Sequence, residues 1–198
     1  ETAEILNHLL NDSSKSNSVL VAIKNQSKCN ISVNLKGKKA YVLNIPANSM
    51  GRILVDKGTY TSTGYNSPAV YSTANITVKN ATLNAENSEA LVIEGQNSIT
   101  LENTNVTGNM SSSKGSSSDN NVHNVMIYQS MSGDAESGTS TLAMKGGTLT
   151  GRNGDQIYVT NTHSVITLED VTITNQDSSG RLLAILGNDA TRGWGTAG

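Results

Sequence analysis

A nine-residue pattern occurs five times in this chain, and no other feature constrains its folding as much. The copies begin at Ile53, Ile76, Ile99, Leu142 and Ile166, at intervals of 23, 23, 43 and 24 residues. Positions one, three and eight are apolar in every copy, as in Ile76, Val78 and Leu83, or Ile99, Leu101 and Val106. Positions one and three alternate in the manner of a half-buried strand. Position five is Asn80, Asn103, Gly146 or Asp170 in four copies and Lys57 in the first. Asn, Gly and Asp tolerate the left-handed backbone region. Each copy therefore reads as a strand, a one-residue corner and a second short strand. A third strand follows each copy, at residues 69–71, 91–93, 125–128, 157–159 and 182–185. The long interval holds two polar insertions, Met110–Asn121 and Ser130–Ser140.

Three strands in roughly two dozen residues, repeated at constant phase, describe a parallel solenoid. The expected fold is all-β: a right-handed parallel β-helix with three strands per coil and about five coils, over residues 53–198. A β-sandwich of short strands is the alternative, but it gives no reason to repeat a corner residue in phase. Stacked coils lie about 4.8 Å apart. Ile76, Ile99, Leu142 and Ile166 then form one interior column, Val78, Leu101, Met144 and Leu168 a second, and Leu83, Val106, Leu149 and Ile173 a third. Asn80 and Asn103 are placed for an amide ladder at the corner. Position four alternates in sign as Asp56, Lys79, Glu102, Lys145 and Glu169. Each exposed pair is worth only about 0.2–1 kcal/mol, so this row favours stacking and solubility more than it fixes register.

Composition removes several function classes. The 198 residues include 24 Asn, 21 Thr and 25 Ser, about a third of the chain, with no Phe, two Pro and one Cys. The formal charge of −2 argues against a nucleic-acid-binding domain. No apolar run approaches the ~18 residues of a membrane span. Cys29 alone makes neither an internal disulfide nor a thiolate metal site. The composition suits an extracellular bacterial surface protein. Sequons such as Asn75-Ile76-Thr77 and Asn105-Val106-Thr107 arise by chance in such a chain.

The stretches Gly58–Gly64, Ser67–Thr73, Ala90–Gly95, Met126–Asp134 and Arg192–Gly195 resemble the β-helical repeat regions of large secreted or surface-anchored bacterial proteins, related in fold to pectate-lyase-like helices. The resemblance covers about residues 58–198 and implies a scaffold with no activity to carry onto any residue. Residues 1–57 differ. Ile23–Ile31 and Ile45–Asn48 resemble an uncharacterised β-rich domain of other secreted bacterial proteins, which ends in a strand like Lys57-Gly58-Thr59-Tyr60-Thr61. Residues 1–52 are thus expected to form an N-terminal cap segment joined to the helix near Lys57. Within it, Ala3–Asn11 carries Ile5, Leu6, Leu9 and Leu10 at helical spacing, a short amphipathic helix suited to capping the solenoid. At the other end, Leu182–Leu186 begins a sixth coil without a cap. The expectation is edge-to-edge self-association or a longer parent chain.

Candidate chemistry is sparse. His8, His123 and His163 are far apart in sequence and repeat phase, and read as surface residues. Cys29 has no His at a recognisable spacing. Glu89, Glu94 and Glu102 fall on neighbouring coils, but Glu102 serves better as a ladder charge, and no acidic cluster with a basic partner marks a lyase or hydrolase. Asp119, Asp134 and Glu136 would hold a calcium ion only if the two insertions meet, and solvated loop acids need no such role. No cofactor is expected. Gly146-Gly147 and Gly193-Trp194-Gly195 are not phosphate loops, because no Lys-Ser/Thr follows. Trp194 is either a packed corner or a sugar-stacking platform.

Three functions remain. The leading one is a non-enzymatic surface scaffold, adhesin-like or glycan-contacting, with a polysaccharide or other surface polymer as partner. The second is an ice-binding protein. The third is a β-helix polysaccharide lyase or hydrolase. The candidate face is the outward pair at positions seven and nine: Thr59/Thr61, Thr82/Asn84, Asn105/Thr107, Thr148/Thr150 and Thr172/Thr174. Thr is also simply a favourable exposed strand residue.

Overall fold

The computed structural model describes residues 43–44, 52–72, 75–111, 122–129, 136–161 and 163–185. The proposed helix at Ala3–Asn11, His8, Cys29, Asp119, Asp134 and Trp194 lie outside the described residues. The described residues form twelve strands: β1 (Leu43–Asn44), β2 (Arg52–Ser62), β3 (Val70–Ser72), β4 (Asn75–Ala85), β5 (Leu91–Glu94), β6 (Ser98–Gly108), β7 (His123–Tyr128), β8 (Thr141–Gly151), β9 (Asp155–Val159), β10 (Val165–Glu169), β11 (Thr172–Asn175) and β12 (Leu183–Ile185). Among the described residues there is no helix, and all of these strand pairings are parallel.

The strands form two sheets. The first runs β1-β3-β5-β7-β9-β12, and the second runs β10-β8-β6-β4-β2 with β11 also on β8. From β2 onward the chain alternates between them, so each five-copy pattern element lies in the second sheet and each intervening strand in the first. The two strands expected within each copy are one continuous, eleven-residue strand in β2, β4, β6 and β8. The corner survives as a bend inside that strand. Lys57, Asn80, Asn103, Gly146 and Asp170 all have φ between 51° and 68°. Only the last copy separates at the corner, into β10 and β11. Two sheets, rather than three, result because ladder pairing resumes immediately past the bend: Asp56↔Lys79 is followed by Gly58↔Ala81.

The core fills the space between the sheets. Ile76, Ile99 and Leu142 stack with Val78, Leu101 and Met144 and with Leu83, Val106 and Leu149, all at 1% exposure or less. The first sheet contributes Leu91, Ile93, Val125, Ile127, Ile157 and Val159 to the same cluster. Burying a Val, Leu or Ile side chain contributes about 1.5–3 kcal/mol, whereas a hydrogen bond nets about 0.5–1.5 kcal/mol. Cohesion therefore comes from the apolar columns. Polar ladders on the outside act on register: Asn103 Nδ2 donates to Asn80 Oδ1 (3.3 Å), and Asn80 Nδ2 to Asp56 Oδ1 (3.0 Å). The alternating row pairs Lys79 with Glu102 at 2.9 Å and Lys145 with Glu169 at 3.0 Å.

Position six is also inward, with Ala81 and Thr104 buried. Thr104 reaches the interior because its hydroxyl donates to backbone oxygens, Glu102 O at 2.9 Å and Val78 O at 3.3 Å. Gly147 is the register partner of Thr104 in the next strand. It sits at φ 82°, and a Cβ there would lie 2.2 Å from Thr104 O. Only glycine fits that close approach.

Candidate functional site

The outward face of the second sheet, past the bend, is built from the repeat itself. Side chains two residues apart share a face of a strand, so positions seven and nine point away from the core that position eight enters. Pairing aligns them into two columns. Thr59, Thr82, Asn105, Thr148 and Thr172 are register partners in turn, as are Thr61, Asn84, Thr107, Thr150 and Thr174. All ten sequence-predicted face residues are thus brought together, half-buried or exposed. Neighbours within a column are about 4.8 Å apart and the columns about 6.6 Å apart, from strand geometry alone. The rows are tied laterally: Asn84 Nδ2 donates to Thr61 Oγ1 (3.4 Å), and Thr148 Oγ1 to Asn105 Oδ1 (3.1 Å).

A third column in the same phase escapes the nine-residue pattern. Position eleven is Thr63, Glu86, Asn109, Arg152 and Gln176, each one residue beyond the paired set Ser62, Ala85, Gly108, Gly151 and Asn175. A groove of about 570 Å³ runs along it, lined by Thr61, Asn84, Thr107, Glu86, Asn109 and Arg152 among others. Its floor is held by amides. Asn109 Nδ2 donates to Glu86 O (2.9 Å), Asn153 Nδ2 donates to Asn109 Oδ1 (2.9 Å), and Asn87 Nδ2 donates to Thr63 O (2.8 Å). The signal for this column was present in the sequence at a fixed offset from each copy. It was missed because apolar alternation ends at position eight.

The ionisable residues that the sequence singled out fall elsewhere. His163 and Glu136 are exposed, and Glu136 accepts from Gln96 Nε2. Glu102 lies on the second sheet in its ion pair with Lys79, away from Glu89 and Glu94. The last two are buried at the two ends of β5, Glu94 completely. Glu94 accepts from the Tyr71 hydroxyl, which also contacts the Tyr128 hydroxyl. Burial, then the neighbouring Tyr128 and the Glu94 charge, push the Tyr71 hydroxyl far above its ordinary value.

His123 corrects the surface reading. It is 2% exposed and stacks on Tyr158, with ring centroids 5.4 Å apart and 22° between planes. It begins β7 and is the register partner of Asp155 at the start of β9. Asp155 is held by Arg181, with Nε to Oδ1 at 3.0 Å, Nη2 to Oδ2 at 2.7 Å and the Arg181 backbone N–H to Oδ1 at 2.9 Å. Burial alone would raise the Asp155 carboxyl, but the Arg181 hydrogen bonds and the Arg181 and His123 charges outweigh it and hold the group below the usual carboxylate value. Asp177, nearby, is likewise lowered, by hydrogen bonds from Ser179 and the Gly154 N–H. Among the described residues no group of three or more His, Cys, Asp and Glu is arranged to hold a metal ion.

With this geometry in hand, comparison with known proteins adds one likeness. A family model described as a domain of unknown function, DUF6759, matches residues 1–88. That range runs across Lys57 and through β2, β3 and β4, so it includes the first two copies of the repeat. No curated protein and no solved structure matches the chain. Among the described residues, no helix is long and apolar enough to cross a membrane.

Proposed function

We propose that this chain is a right-handed parallel β-helix that acts without catalysis as an extracellular surface scaffold, contacting a repetitive polymer such as a polysaccharide through its Thr/Asn face. The alternation of the chain between two parallel sheets supports the winding, and crossovers between parallel strands of one sheet are right-handed almost without exception. The resemblance of residues 58–198 to β-helical repeats of secreted and surface-anchored bacterial proteins supports the location. The observation that carries the reading is the register of ten Thr and Asn side chains in two columns across five strands. Such a face is ordered before any ligand arrives, so binding costs little side-chain entropy. Its period suits a ligand that is itself periodic. The buried acids support a non-catalytic role: Asp155 is tied to Arg181 and Glu94 to Tyr71, and neither lines the Thr/Asn groove.

Ice is the second reading, favoured by Thr at eight of the ten face positions. Asn84 and Asn105 interrupt that array and engage two of the hydroxyls, which favours a polymer with mixed hydrogen-bonding groups. A glycan array and adsorption to insoluble polysaccharides, run beside thermal hysteresis, separate the two. The expected result is retention by a repetitive glycan without hysteresis. Hysteresis with no glycan retained overturns the polymer reading in favour of ice.

A further inference from the structure

The charged residues of this protein are arranged in columns, and two columns on the same sheet treat their charges differently. At position four the sign alternates at every strand, and neighbours pair across the 4.8 Å step, as in Lys79–Glu102 and Lys145–Glu169. At position eleven the only charges are Glu86 and Arg152, separated by the neutral Asn109, with Gln176 beyond. Two strand steps, about 10 Å between backbones, lie between them, and no ion pair joins them. Both side chains are exposed, and among the described residues neither has a side-chain partner. Stacking does not require them, since Thr63, Asn109 and Gln176 fill the same column without charge. Both project into the groove of about 570 Å³ that borders the Thr/Asn face.

We infer that this groove is an anion-specific subsite, in which Arg152 pairs with the acid group of a carboxylated or sulfated glycan while Glu86 accepts hydroxyls of a neighbouring unit. The inference rests on the polymer-binding reading of the face and names the ligand class. A guanidinium suits the role because its planar fork meets two anion oxygens at once. Asn109 lines the groove between the two charges, and its Oδ1 accepts from Asn153 Nδ2 at 2.9 Å. Thr107 and Asn84 supply neutral hydrogen-bonding groups along the same wall.

The test uses the full chain and three matched polymers: carboxymethylcellulose, cellulose sulfate and the neutral hydroxyethylcellulose. The expected result is about tenfold tighter binding of the acidic forms by wild type. That preference is lost in Arg152→Ala and kept in Glu86→Gln, with the thermal midpoint unchanged in both. Equal binding of cellulose sulfate supports a site for either anion, and weaker binding narrows the support to carboxylates. Equal affinity for acidic and neutral polymers, or a preference that survives Arg152→Ala, overturns the inference and leaves the face reading standing if Thr148→Lys with Thr172→Lys still abolishes binding. Binding that is absent for every polymer, or indifferent to those Lys replacements, overturns the face reading and this inference together.

Discussion

The two sheets are made from the same repeat yet live in different surroundings. The second sheet is one-sided. Its strands alternate buried and half-buried residues through β4, β6 and β8, and its outer face is a regular polar array. The first sheet is covered on both faces along its inner strands β5, β7 and β9, while β12 exposes Leu183 and Ile185. Every residue of β5 and β9 is buried, and so is every residue of β7 but Tyr128. Behind its core-facing residues lies a second apolar cluster of Val92, Met126, Tyr158 and Ala184, with Tyr71 and Tyr128 against it. The buried acids with specific partners, Glu94 and Asp155, lie on this two-sided sheet, whereas the ion pairs of the second sheet are exposed. The difference assigns labour: the first sheet anchors the stack, and the second presents a surface. Its regularity costs the second sheet little, because exposed Thr is favourable on a strand.

The sharpest way to break this comparison is at the bend that only the second sheet has. Gly147→Ala places a Cβ 2.2 Å from Thr104 O at a φ of 82°. Left-handed strain of about 1–2 kcal/mol and overpacking of about 1–3 kcal/mol give an expected loss of roughly 2–5 kcal/mol in urea denaturation. The adjacent Gly146, at φ 68°, has its nearest would-be Cβ contact at 3.5 Å, an ordinary van der Waals distance. Gly146→Asn, which copies Asn80 and Asn103, is expected to change stability by less than about 0.5 kcal/mol. Equal losses at the two positions would show that the bend is not built as described.

The first sheet is tested by pH. The folded Asp155 carboxyl lies below its unfolded value of about 3.9. Its pairing therefore stabilises the protein above that pH, and the contribution is lost as pH falls through the folded value. Tyr71 is raised, so its contribution is present below about pH 10 and is lost as pH rises beyond it. Urea midpoints should fall at both extremes. Asp155→Asn should flatten the acid limb, and Tyr71→Phe should flatten the alkaline one. Limbs that keep their slope in these variants would place the pH dependence elsewhere.

The same contrast explains what was legible in the sequence. One-sided strands write their burial as alternation, so Ile76, Val78 and Leu83 and the ten face residues could be assigned by phase. The corner residues could too, because a positive φ selects Asn, Asp or Gly. Two-sided strands lose that signal. Leu91-Val92-Ile93 announces a strand but not which residue faces the core, and nothing marked Val92 or Tyr158 as members of a second cluster. His123 read as a surface residue because its stacking on Tyr158 joins residues 35 apart. Glu86 and Arg152 were missed for a simpler reason: they sit two positions past the end of the recognised pattern, where only a column traced through the pairing reveals them.

Smallest in energy, and most telling, is a change that leaves both sheets intact. Thr148 and Thr172 are outward register partners on the face, whereas Ser112–Ser118 belongs to the first insertion. Adsorption to the glycan retained by wild type should be abolished by Thr148→Lys with Thr172→Lys, with thermal midpoint unchanged, and should survive deletion of Ser112–Ser118. Loss of adsorption on the deletion, with the Lys variant still bound, would contradict the account and move the binding site from the sheet to the loop.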